Sequence, residues 1–275
     1  GRVDIWRNTH FKGNAGFSQN HEDRGSPDDA SGVEPGEYTR VEFGGSFSHR
    51  FNRVSIEPLF EARQFDYDDV RTSTGTTVNN DDRDRDEFSV GSRLGYMIVP
   101  DKYEAFVRFT YNQRDYDANL DDNGFNRDSD GFEAVVGTAI DFGGVTFGDV
   151  YIGYTQQKYD DAALEKIDGL VIGGSIFWNP TALTTINPFV TRSIEETTIG
   201  SASGYFSTTV GVNIDHELRR NFLLHGEVRF ASWKYEGIGR TDDYMNFSFG
   251  GEYLMSRYTR LELTYSLENR SSDAT

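Results

Sequence analysis

Tyr103-Glu104-Ala105-Phe106-Val107-Arg108-Phe109-Thr110-Tyr111 alternates with a period of two. One set of side chains is Tyr103, Ala105, Val107, Phe109 and Tyr111; the other is Glu104, Phe106, Arg108 and Thr110. Successive side chains of a strand point to opposite faces, so this stretch reads as a β-strand with one apolar and one largely polar face. The pattern continues outward along the chain. Met245, Phe247, Phe249, Gly251, Tyr253 and Met255 alternate with Asn246, Ser248, Gly250, Glu252 and Leu254. Leu261, Leu263, Tyr265 and Leu267 alternate with Glu262, Thr264, Ser266 and Glu268. Residues 41–51, 54–60, 88–98, 132–142, 170–178, 206–214 and 222–230 read the same way. The signal is weaker over 3–17, 150–154 and 186–190, and in the last of these Pro188 removes a ladder donor. Helical spacing is nearly absent, and 162–167 amounts to one turn in a loop.

Connections alternate in length. Short ones fall at 52–53, 100–102, 143–144, 179–183, 219–221 and 256–257; long polar ones fall near 23–36, 66–86, 117–130, 160–168, 195–203 and 236–243. The chain is therefore a series of antiparallel hairpins with tight turns at one end and loops at the other. About thirteen strands of roughly 10–15 residues are visible, longer than the usual ~5–6 of soluble sheets. An aromatic–acid step recurs where strands rise into long loops: Phe65-Asp66, Tyr116-Asp117, Tyr159-Asp160 and Tyr235-Glu236.

Composition narrows the class. The chain has 275 residues, with 27 Lys and Arg against 45 Asp and Glu, a formal charge of −18. Such a balance argues against nucleic acid as a partner, because phosphate binding needs a basic patch. The 21 Phe and 15 Tyr are too many for an acidic disordered chain. There is no Cys, hence no disulfide, zinc–thiolate site or thiol nucleophile. No apolar run is long enough for a transmembrane helix, but a transmembrane strand needs only about 9–11 residues with every second one apolar. The opening Gly1-Arg2-Val3-Asp4 lacks a signal-peptide pattern.

A soluble sandwich and a membrane barrel share this alternation and differ in which face is inside. Four features favour the barrel. The polar faces carry both signs of charge: Arg40, Glu42, Glu57, Glu61, Arg63, Arg93, Glu104, Arg108, Glu133, Glu227, Arg229, Glu252 and Glu262. Glycines such as Gly91, Gly137, Gly173 and Gly211 sit on the same faces, where a crowded interior favours a missing side chain. Apolar faces begin or end in aromatics, among them Phe43, Phe51, Tyr96, Phe142, Trp178 and Tyr253, as interfacial girdles require. Short turns opposite long loops are the habit of outer-membrane barrels. The expectation is an all-β fold, an antiparallel transmembrane up-and-down β-barrel forming one domain over 1–275 in the outer membrane of a Gram-negative bacterium. An odd strand count and the loop-like Asn269-Arg270-Ser271-Ser272-Asp273-Ala274-Thr275 lead us to expect a chain truncated at the C-terminus, and at the N-terminus too.

Several short motifs resemble the alphaproteobacterial outer-membrane barrels called the Putative β-barrel porin 2 family. They are Glu22-Asp23-Arg24-Gly25-Ser26-Pro27-Asp28, Arg114-Asp115-Tyr116-Asp117, Arg127-Asp128-Ser129-Asp130-Gly131, Gly148-Asp149-Val150-Tyr151-Ile152-Gly153-Tyr154 and Trp178-Asn179-Pro180-Thr181. The resemblance covers most of the chain and implies a location and an architecture of about 14–18 strands. It carries over no catalytic residue. Relatives often accompany exopolysaccharide export systems, which implies a polysaccharide exit conduit and a periplasmic export partner.

Catalytic signatures are missing: there is no Gly-rich phosphate loop, His-Glu-x-x-His or Gly-x-Ser-x-Gly. The five histidines, His10, His21, His49, His216 and His225, stand at no metal-ligand spacing. His225, beside Glu227 on a polar face, is expected to hydrogen-bond in the lumen; His49 and His216 are expected at the interface near short turns. No enzyme activity, cofactor or resident metal is expected. The acidic runs 79–86 and 121–128, with Asp81, Asp82, Asp121 and Asp122, have oxygen density suited to a divalent cation but lack the ligand spacing of a Ca²⁺ loop. Solvated loops are the plainer reading.

Two function classes follow. The first is a porin-like channel lined by the thirteen charged residues above, for hydrophilic solutes or an exported polysaccharide. Inward Phe65, Phe106, Phe177 and Trp233 are candidates for a track on which sugars slide. The second is a non-conducting barrel whose acidic loops bind a surface layer, lipopolysaccharide or a partner protein.

Overall fold

The computed structural model describes residues 1–22, 33–200 and 202–273, so Asp23–Asp28 of the first loop motif lies outside the described residues. Its strands are β1 (Arg2–Trp6), β2 (Thr9–His21), β3 (Glu37–Phe51), β4 (Val54–Tyr67), β5 (Val70–Arg71), β6 (Thr77–Val78), β7 (Arg85–Val99) and β8 (Tyr103–Tyr116). They continue as β9 (Ser129–Asp141), β10 (Thr146–Tyr159), β11 (Ile167–Thr181), β12 (Thr184–Glu195), β13 (Gly204–Arg219), β14 (Phe222–Glu236), β15 (Thr241–Leu254) and β16 (Arg260–Ser272). Fourteen of them form one antiparallel sheet in chain order, and β5 and β6 make a separate ribbon within a loop. No helix is long and apolar enough to cross a membrane.

The strand count exceeds the expected thirteen because 3–17 is not one strand. Residues 7–8 turn the chain there and pair Val3 with Phe11. Nothing in Arg7-Asn8 carries the Gly or Pro that marks a turn, which hides this hairpin in the sequence. The expected long connection at 236–243 shrinks to four residues, 237–240, with Gly237 at φ 92°. β1 and β16 are not paired with each other, so the sheet is curved but not closed.

Curvature separates the two faces. Val107 and Phe109 are 52% and 54% exposed, whereas Phe106, just before Val107 in the chain, is 3% exposed. Side chains on the convex face diverge and stay open; those on the concave face converge and bury one another. The apolar rows are convex and the Arg/Glu rows concave, which is the arrangement of a barrel facing lipid. β16, at the edge, is exposed on both faces.

Local repairs keep the ladder satisfied. Pro188 in β12 would stand opposite Ile176 of β11, where it has no N–H to give. The neighbouring Asn187 side chain donates to the Ile176 carbonyl instead (3.1 Å) and to Ser175 Oγ (2.7 Å). A buried carbonyl left unanswered is costly, so the Asn187-Pro188 pair reads as one device. Turn-end histidines also find partners: His49 Nδ1 lies 2.6 Å from Thr9 Oγ1, and His216 Nδ1 lies 3.0 Å from Thr184 Oγ1.

Candidate functional site

Every charged residue assigned to the polar faces by the alternation lies on the concave face. They do not float there as separate charges. Arg63 holds Glu61 (2.7 Å) and reaches Glu87 (3.7 Å); Arg93 holds Glu104 (2.7 Å); Arg108 holds Glu133 (2.9 Å); Arg229 holds Glu227 (3.0 Å); Arg40 pairs with Glu42. Glu57 accepts from Ser46 Oγ (2.8 Å). At the edge, Glu252 stands opposite Glu262 in register, with Arg260 at 3.6 Å from Glu252. His225, expected as a hydrogen-bonder on this face, pairs across the strand with Asp215 (2.6 Å), which antiparallel register sets directly opposite it.

A unit of three residues recurs beneath these pairs. Phe106 of β8 lies across Gly137 of β9 and is covered by the Arg93 guanidinium at 4.1 Å. Tyr151 of β10 lies across Gly173 of β11 and is covered by Arg108 at 4.5 Å. Phe189 of β12 lies across Gly211 of β13, with Arg229 at 5.8 Å. A Cβ at Gly137 or Gly211 would stand 2.5 Å from the ring, so the glycines make room for it. The guanidinium over the ring face adds about 0.5–2 kcal/mol per contact. Tyr151 and Phe189 were not among the sequence candidates; their signal is an inward aromatic in register with a glycine on the next strand.

This packing removes much of the expected sugar track. Phe106 is 3% exposed and offers no face to a solute. Phe65 has Arg85 at 4.3 Å on its ring and Arg40 at 5.8 Å. Phe177 sits at the turn end, stacked on Phe147 at 5.1 Å. Trp233, at the loop end of β14, stacks on Tyr244 at 6.1 Å and meets Arg270 at 5.0 Å. The four rings are therefore dispersed and do not form a line.

The loop end is capped. β11 and β12 pair as far as Ile172 with Arg192, and then part, although both strands continue. Arg192 Nε donates to the Leu170 carbonyl (3.0 Å), which answers a group the parting leaves bare. Beyond it the β12–β13 hairpin leans inward, burying Ile194 and Phe206 against Tyr159, Leu164 and Ile167. Glu196, next in the chain, is held by Arg114 of β8 and accepts from Tyr116 (3.1 Å) and Tyr159 (3.2 Å). Arg127, 1% exposed, binds Asp121 (2.6 Å) and donates to the carbonyls of Thr197 (2.5 Å), Ala202 (3.1 Å) and Gly200 (3.2 Å). One buried guanidinium thus fastens Thr197, Gly200 and Ala202 to the loop before β9.

The carboxylates of Asp81, Asp82 and Asp121 are engaged in the same structure. Asp121 Oδ1 also accepts from the Asn123 and Phe125 amides (both 2.9 Å), so this carboxylate is fully engaged. Asp82 accepts from the Asp122 amide (3.2 Å), and burial pushes its carboxyl above the usual range. The Asp81 carboxylate accepts from the Asn79 side-chain amide (3.2 Å), whose oxygen in turn accepts from the Asp81 backbone N–H (2.7 Å). Among the described residues no three carboxylate or imidazole groups gather as a metal site.

Under the cap lies a cavity of about 340 Å³, walled by β4, β7, β8, β9 and β10 and roofed by Ser193 and Ile194 of β12.

A family model described as Putative beta-barrel porin 2 matches residues 1–275. No curated protein matches the chain. Solved structures with the same fold include the siderophore receptor PiuA from Acinetobacter baumannii, at 9% identity and a TM-score of 0.51, covering 98% of this chain and 55% of that one. The FrpB iron transporter from Neisseria meningitidis aligns at 7% identity and a TM-score of 0.53, covering 95% of this chain and 49% of that one. The alcaligin outer-membrane receptor FauA from Bordetella pertussis aligns at 8% identity and a TM-score of 0.51, covering 99% and 52%. At such identities the likeness is of fold alone, and the chain spans about half the length of each.

Proposed function

The chain belongs to the Putative beta-barrel porin 2 family, an outer-membrane barrel family of Gram-negative bacteria, and we propose that it forms a channel for small hydrophilic solutes whose loop-end mouth is closed by the β12–β13 hairpin. It performs no chemistry in this reading; it is a passage. The observation that carries the proposal is the sorting of side chains by face. Arg and Glu pairs line the concave side while Phe, Val and Leu cover the convex side, where lipid satisfies them. A wet bore tolerates such pairs, since each ion keeps part of its hydration.

Polysaccharide export is a finer reading that the dispersed aromatics do not favour, because a polymer needs successive exposed rings. The contact of Glu196 with Arg114, Tyr116 and Tyr159 supplies the closure. Planar-bilayer recording tests the reading directly. Wild type should give low conductance with brief openings, and Glu196→Ala should raise mean conductance severalfold by freeing the hairpin. A barrel silent in both forms would instead support a structural role for the acidic loops.

A further inference from the structure

The cavity under the cap has a composition that selects its occupant. Its charged wall residues are Arg63, Arg108 and Arg114 against Glu61, Glu87 and Glu133, so the signs balance. Each charge is answered from within the protein. Arg63 serves Glu61 and Glu87, Arg108 serves Glu133, Arg114 serves Glu196, and Arg85 serves Glu87 (2.9 Å). An anion or a cation entering here would have to break a pair already formed and would gain no bare counter-charge. Amide and hydroxyl capacity is what remains. Thr110 and Asn112 of β8 stand in the wall, and Asn112 Oδ1 is buried yet accepts no hydrogen bond among the described residues. A buried acceptor without a donor is a cost that a hydroxyl-bearing ligand removes. The nearby ring of Tyr151 lies under Arg108, so stacking is blocked and hydrogen bonding must do the selecting. The volume lies at the small end of the ~300–1,000 Å³ usual for ligand pockets, room for one small solute and not for a polymer.

We infer that this chamber is a binding site for one neutral, polyhydroxylated solute of about disaccharide size, held between Asn112, Thr110 and the Arg63 and Arg108 pairs beneath the β12–β13 cap. The inference rests on the channel reading for how the solute reaches the chamber, and it names the substrate class of that same passage.

Three disaccharides of like size and different charge test it by titration calorimetry on the purified barrel: cellobiose, the galacturonic acid dimer and the glucosamine dimer. Cellobiose should bind at least tenfold more tightly than either charged sugar. Asn112→Leu, which removes the acceptor and fills the chamber, should weaken cellobiose at least tenfold. Arg63→Gln, which unbalances the wall toward negative, should shift preference toward the glucosamine dimer. Tighter binding of a charged sugar by wild type, no binding of any of the three, or an unchanged cellobiose affinity in Asn112→Leu would each overturn the site. The channel reading fails separately: a protein that binds cellobiose but passes no current in bilayers keeps the site and loses the passage.

Discussion

The two ends of the sheet are built on different physics. At the turn end the chain reverses in a few residues, and the backbone itself sets the geometry: Asn52 and Asp101 have φ of 55° and 58°, and Gly143 and Gly144 have φ of 64° and 86°. Around these turns sit rings, such as Tyr103 edge-on to Phe142 at 5.2 Å, and exposed charges such as the Arg50–Asp101 pair (3.2 Å). At the loop end the connections are held by buried ions. Arg127 and Asp121 are each 1% exposed in their side chains, and Asp242, fully buried, takes Arg240 (2.8 Å) and Arg270 (2.7 Å). The contrast teaches that the turn end is local and rigid, whereas the loop end is a long-range assembly that one substitution can release.

The largest effect is expected at Arg127. Arg127→Leu takes the guanidinium away from the buried Asp121 carboxylate and removes its donations to three carbonyls, a loss of about 3–5 kcal/mol in the docking of the cap. Hydrogen exchange should then speed up across 117–128, 196–200 and 202–203 while the strand amides of β7–β11 keep their protection. Equal loss of protection in strands and cap would erase the distinction between the two ends.

A smaller and purely local effect is expected at the turn end. A Cβ at Gly144 meets nothing within 4 Å, so Gly144→Val is penalised only by its left-handed backbone, about 1–2 kcal/mol. The barrel should melt slightly earlier, with bilayer conductance unchanged. A change in conductance would mean that the turn end also governs the bore.

The smallest effect sharpens the electrostatics of the loop end. Burial, together with Asp66, Asp81 and Asp117, pushes the Asp84 carboxyl up to about 6, although the Tyr67 amide opposes the shift. Because the folded value lies above the unfolded one of about 4, the neutral acid favours the docked loop. That contribution is full below about pH 4 and is lost as pH rises through about 6. The Tyr67 amide resonance should therefore titrate near pH 6, and Asp84→Asn should abolish that step.

Much of this was legible in the alternation of side chains. Period two places Arg93, Glu104 and Arg108 on one face and Val107 and Phe109 on the other without further information. What the alternation does not contain is contact between strands that are not neighbours. Arg108 reaches Tyr151 two strands away, and Arg127 reaches Thr197 across 70 residues of chain. The inward lean of β12–β13 begins where two ladders part at Arg192, and no local propensity marks that point. The turn at Arg7-Asn8 was missed for the opposite reason: it is local, but a single Asn without Gly or Pro beside it is a weak turn signal.

The central claim is that the apolar face meets hydrocarbon and the charged face meets water. The chain has no cysteine, so single-cysteine variants through residues 103–111 can each carry a spin label in lipid vesicles without background. Collision rates with oxygen, which concentrates in lipid, and with a water-soluble nickel chelate should alternate with a period of two. Oxygen should dominate at positions 105, 107 and 109, and nickel at 104, 108 and 110. The opposite phase, or nickel access at every position, would contradict the account.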